Sequence, residues 1–218
     1  MLTVLLLGDR EEGKNGVMDS ERTGERRGRT GRVPATNVAE LTHIGLRLFV
    51  ERGFDAVTID EIAAATGIGR RTFFRYFHSK NDLPWGEFDD LVAAMRAHLA
   101  AVPDGVPLFA ALRDAVLTFN DYPAEELPYH RERMGLLLRV PSLVAHGMLR
   151  YAKWRQAIAE FAAERLGQDT GDLAPQMIAW AFLSASLAAY EDWLNNPAAD
   201  LVAVLGEALD VLGRITEY

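Results

Sequence analysis

The side chains best suited to chemistry lie between Arg70 and Lys80. In the run RRTFFRYFHSK, Arg70, Arg71, Arg75 and Lys80 are cations, Thr72 and Tyr76 carry hydroxyls, and Phe74 offers a ring. These types suit a nucleic acid. Thr72, Tyr76, Lys80 and the upstream Thr58 can hold phosphate oxygens, which fixes register without reading sequence. Arg70 or Arg71 can bond bidentately to O6 and N7 of guanine, worth ~1–3 kcal/mol of discrimination. Arg75 suits a backbone contact. For each arginine the alternative is a solvated helix face.

No enzyme motif accompanies them. The chain has no Gly-rich phosphate loop, no H-E-x-x-H and no G-x-S-x-G. It has no cysteine, which excludes disulfides, thiolate metal sites and thiol catalysis. His43, His78, His98, His130 and His146 are scattered. His130 and Glu132 stand at i, i+2 and point to different helix faces, so a solvated polar turn is expected there. Glu191 and Asp192 are expected on an exposed face. No catalytic residue, metal or cofactor is assigned.

A second group suits a small ligand. Phe109, Met134, Leu138, Tyr151, Trp154 and Trp180 are candidates for the wall of an apolar cavity, with Arg150 as a charged contact. Aromatics at helical spacing usually build core, and most of these are expected to. Arg131, Arg133, Arg139, Arg150, Lys153 and Arg155 form a cationic cluster in an otherwise acidic half. Two readings stand: basic residues at the mouth of a tunnel for an amphipathic anion, or surface pairs with Glu125, Glu126, Glu132, Glu160 and Glu164.

Helices must position these groups. Thr58 and Glu61 form a capping box, and Ile59, Ile62 and Ala63 give the short helix after it an apolar stripe. Gly67 supplies a positive-φ turn. Arg70 then opens a second short helix with Phe73 and Phe77 on one face. Two short helices, a glycine turn and a cationic second helix make a helix-turn-helix. Val38, Leu41, Ile44, Leu48 and Phe49 predict a bracing helix before it, ended by Gly53. Ser79 and Asp82 form another capping box, and Pro84 fits a first turn. One helix is expected from there through Trp85, Phe88, Val92 and Leu99. Further helices are predicted at residues 108–120, 124–139, 142–166, 173–195 and 198–215, and no strand.

Residues 58–83, TIDEIAAATGIGRRTFFRYFHSKNDL, resemble the DNA-binding signature of the tetracycline-repressor (TetR) family. Thr58, Ala63, Gly67, Ile68, Thr72, Phe73, Tyr76, Phe77, Ser79 and Lys80 match its pattern. Phe74 stands where the family usually has Tyr, which removes a phosphate-seeking hydroxyl and leaves an apolar contact for a thymine methyl. The stretches PYHRERM, LRYAKWR and LAAYEDWL resemble the subgroup of regulators found beside mycofactocin biosynthesis genes. The resemblance implies that Lys80 contacts phosphate, that the helix after it transmits a signal, and that the body encloses an inducer. A long-chain acyl-CoA is the first candidate it suggests. It also implies a dimer through the last two long helices. Their sequences agree. Residues 177–194 are apolar nearly all round and must be buried on several sides. Ala181, Ser184, Ala185, Ala188 and Ala189 allow another helix close approach. The bland alternative is a finished monomer core.

Charge is divided to match. The net charge is −8, yet residues 21–80 carry eleven Lys/Arg against seven Asp/Glu, while residues 81–218 carry ten against twenty. Residues 1–35 read as a disordered basic arm in which Arg22, Arg26, Arg27, Arg29 and Arg32 either enter a minor groove or stay solvated. Met18 is a second candidate start. No apolar run approaches the ~20 residues of a membrane span, and Met1 to Leu7 is too short and lacks a basic flank for a signal peptide. The expectation is an all-α cytoplasmic protein with three parts. Residues 1–35 are the arm, 36–83 the helix-turn-helix domain, and 84–218 the ligand-binding and dimerisation domain. Its function would be a homodimeric repressor, released from a palindromic DNA operator by a small amphipathic ligand. The alternatives are a ligand-independent dimeric DNA-binding protein or, further off, a small helical enzyme.

Overall fold

A computed structural model describes residues 38–214. The expected basic arm, residues 1–35, and the last residue of the expected terminal helix lie outside them. Every regular element among the described residues is helical.

Three short helices form the reading head. α1 (Val38–Arg52) buries Leu41, Leu46 and Phe49 and ends at Gly53, whose φ of 86° only glycine takes cheaply. α2 (Ile59–Ala65) begins with the expected capping box: the Thr58 hydroxyl accepts from the Glu61 N–H, and the Glu61 carboxylate accepts from the Thr58 N–H at 2.8 Å. α3 (Arg70–Tyr76) buries Phe73 completely and caps on Phe77, whose backbone is already extended. Phe54 and Val57 fill the α1–α2 junction at 5% and 1% exposure.

The helix expected to run unbroken from Ser79 is two elements. A 3-10 turn, Lys80–Trp85, is followed at Gly86 by a break with φ 50° and ψ −126°, and α4 starts afresh over Phe88–Ala100. Pro84 lies inside the turn, where it has no N–H to donate, and Leu83, Pro84 and Trp85 are all buried. Gly45 of α1 sits under the turn. A Cβ there would lie 2.6 Å from Leu83 Cδ1, so α1 and the turn approach as only glycine permits.

The body holds α5 (Leu108–Phe119), α6 (Leu127–Arg139), α7 (Pro141–Leu166), α8 (Leu173–Asn195) and α9 (Leu201–Gly213). One apolar cluster joins the reading head to α6, the end of α8 and the start of α9, through Leu46, Phe73, Leu83, Leu137, Trp193 and Leu205. A second lies deeper in the body among α4, α5, α7 and α8, with Val92, Leu112, Ile158 and Phe182. α8 is the one described helix long and apolar enough to cross a membrane, contrary to the reading that no run approaches that length. Only 39% of its most apolar window is buried within one chain.

Because Gly86 holds a backbone conformation nearly closed to residues with a Cβ, Gly86→Ala should destabilise the fold by about 1–3 kcal/mol. Urea unfolding followed by circular dichroism measures this, and an unchanged midpoint would show that the break tolerates a side chain.

Candidate nucleic-acid interface and ligand cavity

α3 presents its cations outward. Arg70, Arg71 and Arg75 are exposed, and Phe74 is 41% exposed. Arg70 Nη1 donates to Asp60 Oδ1 at 2.9 Å, an exposed pair of small worth that a stronger anion can replace. Arg75 lies over the Tyr76 ring and donates to its hydroxyl at 2.9 Å. Arg71 has no side-chain partner among the described residues and is free to reach. Thr72 is half-buried on the same helix.

Two expected phosphate contacts are committed inside the chain. The Thr58 hydroxyl is held by Glu61 on both sides of the capping box. Thr58 and Arg52 lower the Glu61 carboxyl to about 2 by their hydrogen bonds. Lys80 is half-buried, with Nζ donating to the carbonyls of Phe54 at 2.7 Å and Val57 at 2.9 Å, above the Phe54 ring. It ties the 3-10 turn to the α1–α2 loop and keeps only part of its donor capacity for a phosphate.

Asp82 connects this head to the body. Its Oδ2 accepts from the backbone N–H and hydroxyl of Ser79, both at 2.9 Å, which caps the turn. Its Oδ1 accepts from two side chains of α7, His146 Nε2 at 2.9 Å and Arg150 Nη2 at 2.7 Å. Burial alone would raise this carboxyl; hydrogen bonds from Arg150, Ser79 and His146 outweigh burial and hold it below the ordinary value. Three residues on, Trp85 packs edge-on against Phe88 and Tyr151. Gly147 of α7 leaves it room: a Cβ there would stand 3.2 Å from the Trp85 ring.

Trp85 is also one wall of a cavity between α4, α5, α6, α7 and α8. The cavity has room of about 60 Å3 for the centres of water-sized molecules, on the order of four waters. Of the residues proposed from sequence, Met134, Tyr151 and Trp154 line it. Phe109, Leu138, Arg150 and Trp180 do not. Phe109 packs on Phe182 at 5.4 Å, Arg150 serves Asp82, and Trp180 lies outside under the Arg155 guanidinium. Most of the cationic cluster is spent on other partners. Lys153 pairs with Asp89, Arg139 donates to Asn195, and Arg131 covers Trp193. Arg133 alone of the six faces the cavity.

The polar wall was not anticipated. His130, expected in a solvated turn, is 3% exposed and stacks on Tyr122 at 4.0 Å. Its protonation is fixed by a chain of bonds. Asn120 Nδ2 donates to the Val116 carbonyl, so Oδ1 faces Tyr190 and takes its hydroxyl proton. The Tyr190 oxygen then accepts from His130 Nε2, 2.9 Å away, which leaves His130 Nδ1 as a bare lone pair. Burial, helped by the charge of Arg133, lowers His130 to about 3. Burial raises the Tyr151 phenol to about 12.

Residues 41–83 match the family model described as bacterial regulatory proteins, tetR family, and residues 106–216 match the MftR C-terminal domain. This chain belongs to the TetR family. It is 42% identical to a Mycobacterium tuberculosis protein assigned as the mycofactocin biosynthesis transcriptional regulator MftR, over 85% of this chain and 93% of that one. Two solved structures share the fold. Thermus thermophilus FadR, a TetR-family transcriptional repressor in complex with lauroyl-CoA, superposes with a TM-score of 0.55 at 21% identity. That match covers 82% of this chain and 94% of that one. Bacillus subtilis FadR in complex with stearoyl-CoA gives 0.58 at 14%, covering 81% and 97%. The chain is thus a TetR-type transcriptional regulator and not an enzyme.

A histidine held neutral makes stability depend on pH. Below pH 6.5 the unfolded chain takes up a proton that folded His130 refuses until about pH 3. Its contribution is therefore complete above 6.5 and falls as pH drops towards 3, by at most about 1.4 kcal/mol per pH unit. Urea titrations at pH 7, 6 and 5 should show this slope, and His130→Phe should lack it.

Proposed function

We propose that the regulator is a cytoplasmic repressor that binds a palindromic operator as a homodimer and leaves it when an amphipathic small molecule enters the cavity. Residues 36–83 act as reader and residues 84–218 as ligand-binding and dimerisation body. The observation that carries the reading is the turn Lys80–Trp85: Asp82 locks it to α7, and Trp85 forms part of the cavity wall. A ligand that displaces Trp85 pulls on the element that seats the reading head.

In this reading Arg71 reads a base edge, and Arg70 does so after leaving Asp60. Thr72, Arg75 and Tyr76 hold the backbone, Phe74 meets a thymine methyl, and Thr58 and Lys80 shape the head more than they touch DNA. The dimer face is the outer side of α8 and α9. Ala181, Ser184, Ala185 and Ala188 line an open groove there with Val204 and Val211, and Leu173, Met177 and Trp180 extend it along α8 as exposed apolar side chains. Small residues that admit a close helix, beside apolar area left open to water, suit a second copy. Two readers must then stand about one DNA turn, ~34 Å, apart.

A long-chain acyl-CoA is a member of the ligand class. Its support is the apolar wall and the two FadR structures that hold such thioesters. A whole acyl-CoA is larger than the cavity, so it binds only after the wall has moved. That gives it the differential affinity for two conformers that a population shift requires.

Gel shifts on the DNA upstream of its own gene test the proposal. Arg71→Ala should lose sequence discrimination by about 1–3 kcal/mol while the dimer persists on size exclusion; unchanged competition by unrelated DNA would remove Arg71 from that role. With lauroyl-CoA added, wild type should release the DNA. Asp82→Asn, which weakens the lock without removing its shape, should bind the thioester yet release DNA less completely. Equal release by both proteins would show that Asp82 carries no signal.

A further inference from the structure

Resting on the ligand-responsive reading, we infer that the cavity is built for a compact aromatic hydroxy acid, whose carboxylate is bound by Arg133 and whose hydroxyl donates to His130 Nδ1. Among the described residues six buried side-chain nitrogen or oxygen atoms lack a hydrogen-bond partner. Four of them, Trp85 Nε1, His130 Nδ1, Arg133 Nε and Tyr151 Oη, belong to side chains that line this one cavity. Buried polar atoms are almost always partnered, so such a concentration marks groups that await a ligand.

Their chemistry defines the missing molecule. Indole N–H and guanidinium N–H only donate, and the Tyr151 phenol has a proton to give. His130 Nδ1 only accepts, because Nε2 holds the proton for Tyr190. Three donors without acceptors and one acceptor without a donor call for an anionic oxygen pair plus one O–H. The sign of the charge follows from Arg133. Its guanidinium has no hydrogen bond or ion pair among the described residues. The carboxylate of Glu126, which acts on Tyr122, is itself bonded to His43 Nε2 at 3.0 Å. A half-buried cation without a counter-charge, in a wall of low polarity, is an anion receptor.

Size and shape narrow it further. Seven of the sixteen lining side chains are Phe, Trp or Tyr, which favour a ring packed face to edge. The small volume favours a free acid of one ring over a ligand as bulky as an acyl-CoA.

The test uses the full-length protein and four probes by isothermal titration calorimetry: 3-(4-hydroxyphenyl)propionate, its methyl ester, 3-phenylpropionate and lauroyl-CoA. Wild type should bind the acid about ten- to a hundredfold more tightly than the ester. Arg133→Gln should erase that preference while still binding the ester, which also shows that the variant is folded; Arg133→Lys should restore part of it. His130→Phe should erase the preference for the hydroxylated acid over 3-phenylpropionate and leave the acid-over-ester preference intact. Equal affinity of wild type for acid and ester, or a preference that survives in Arg133→Gln, overturns the inference. Binding and DNA release by lauroyl-CoA alone overturns it too, but leaves the ligand-responsive reading standing. Failure of all four probes both to bind and to release DNA removes both.

Discussion

The carboxylate of Asp82 serves two structures at once, and the reading head depends on it. One oxygen closes the N-terminus of the Lys80–Trp85 turn; the other accepts from His146 and Arg150 of α7. At 7% exposure the charge is viable only while all of these bonds are made, since a buried ion that loses its partner costs several kcal/mol. The position of α7 and the geometry of the turn are therefore not independent variables. Arg150 reinforces the tie by reaching Asp89 at 3.5 Å, beyond the Gly86 break. The apolar contacts around it, Gly45 against Leu83 and Gly147 against Trp85, are so close that neither face can slide without the other.

Features set by neighbours in the chain were legible in the sequence. The capping boxes at Thr58 and Ser79, the glycine turn and the buried Phe73 follow from spacings of a few residues. So did most helix limits in the body, because Pro141, Gly167 and the Asn195–Pro197 stretch interrupt the apolar pattern locally. The break at Gly86 was hidden for a related reason. Trp85, Phe88, Val92 and Leu99 keep helical periodicity across it, so the pattern reads as one helix although the backbone turns aside. Periodicity records which residues are buried, and a kinked pair of helices can bury the same set as a straight one.

The cavity was legible only in outline. Met134, Tyr151 and Trp154 announced themselves as large apolar residues, but so did Phe109 and Trp180, which went elsewhere. What distinguishes the wall is long-range pairing: His130 to Tyr190, Tyr190 to Asn120, Arg150 to Asp82. These partners lie 60 to 70 residues apart, and no local pattern encodes them. The same blindness made six cations look like one cluster. Their charges are adjacent in sequence, yet helix geometry sends Arg150 to the turn, Arg155 to Trp180 and Arg133 inward. Nor did the motif show that two carbonyls of the α1–α2 loop accept from Lys80, leaving it only part of its donor capacity for a phosphate.

The proposed switch needs energies of comparable size on either side of the turn. Moving a two-state equilibrium from one extreme to the other takes about 5.5 kcal/mol of differential ligand affinity. Tying Asp82 to α7 is worth roughly 3–5 kcal/mol against loss of a partner. If the lock were much stronger, no ligand of ordinary affinity would move the turn; if much weaker, the head would drift without one. A small cavity, with unpartnered donors on the side chains that line it, would set the ligand's side of that balance. On the proposed reading, satisfying those donors would supply the affinity, and the bulk that pushes Trp85 aside would make that affinity differ between the two conformers. Polar groups left unpartnered in the wall are thus a cost to the empty fold that a bound ligand would recover, and one of them, Trp85, stands three residues from the Asp82 carboxylate.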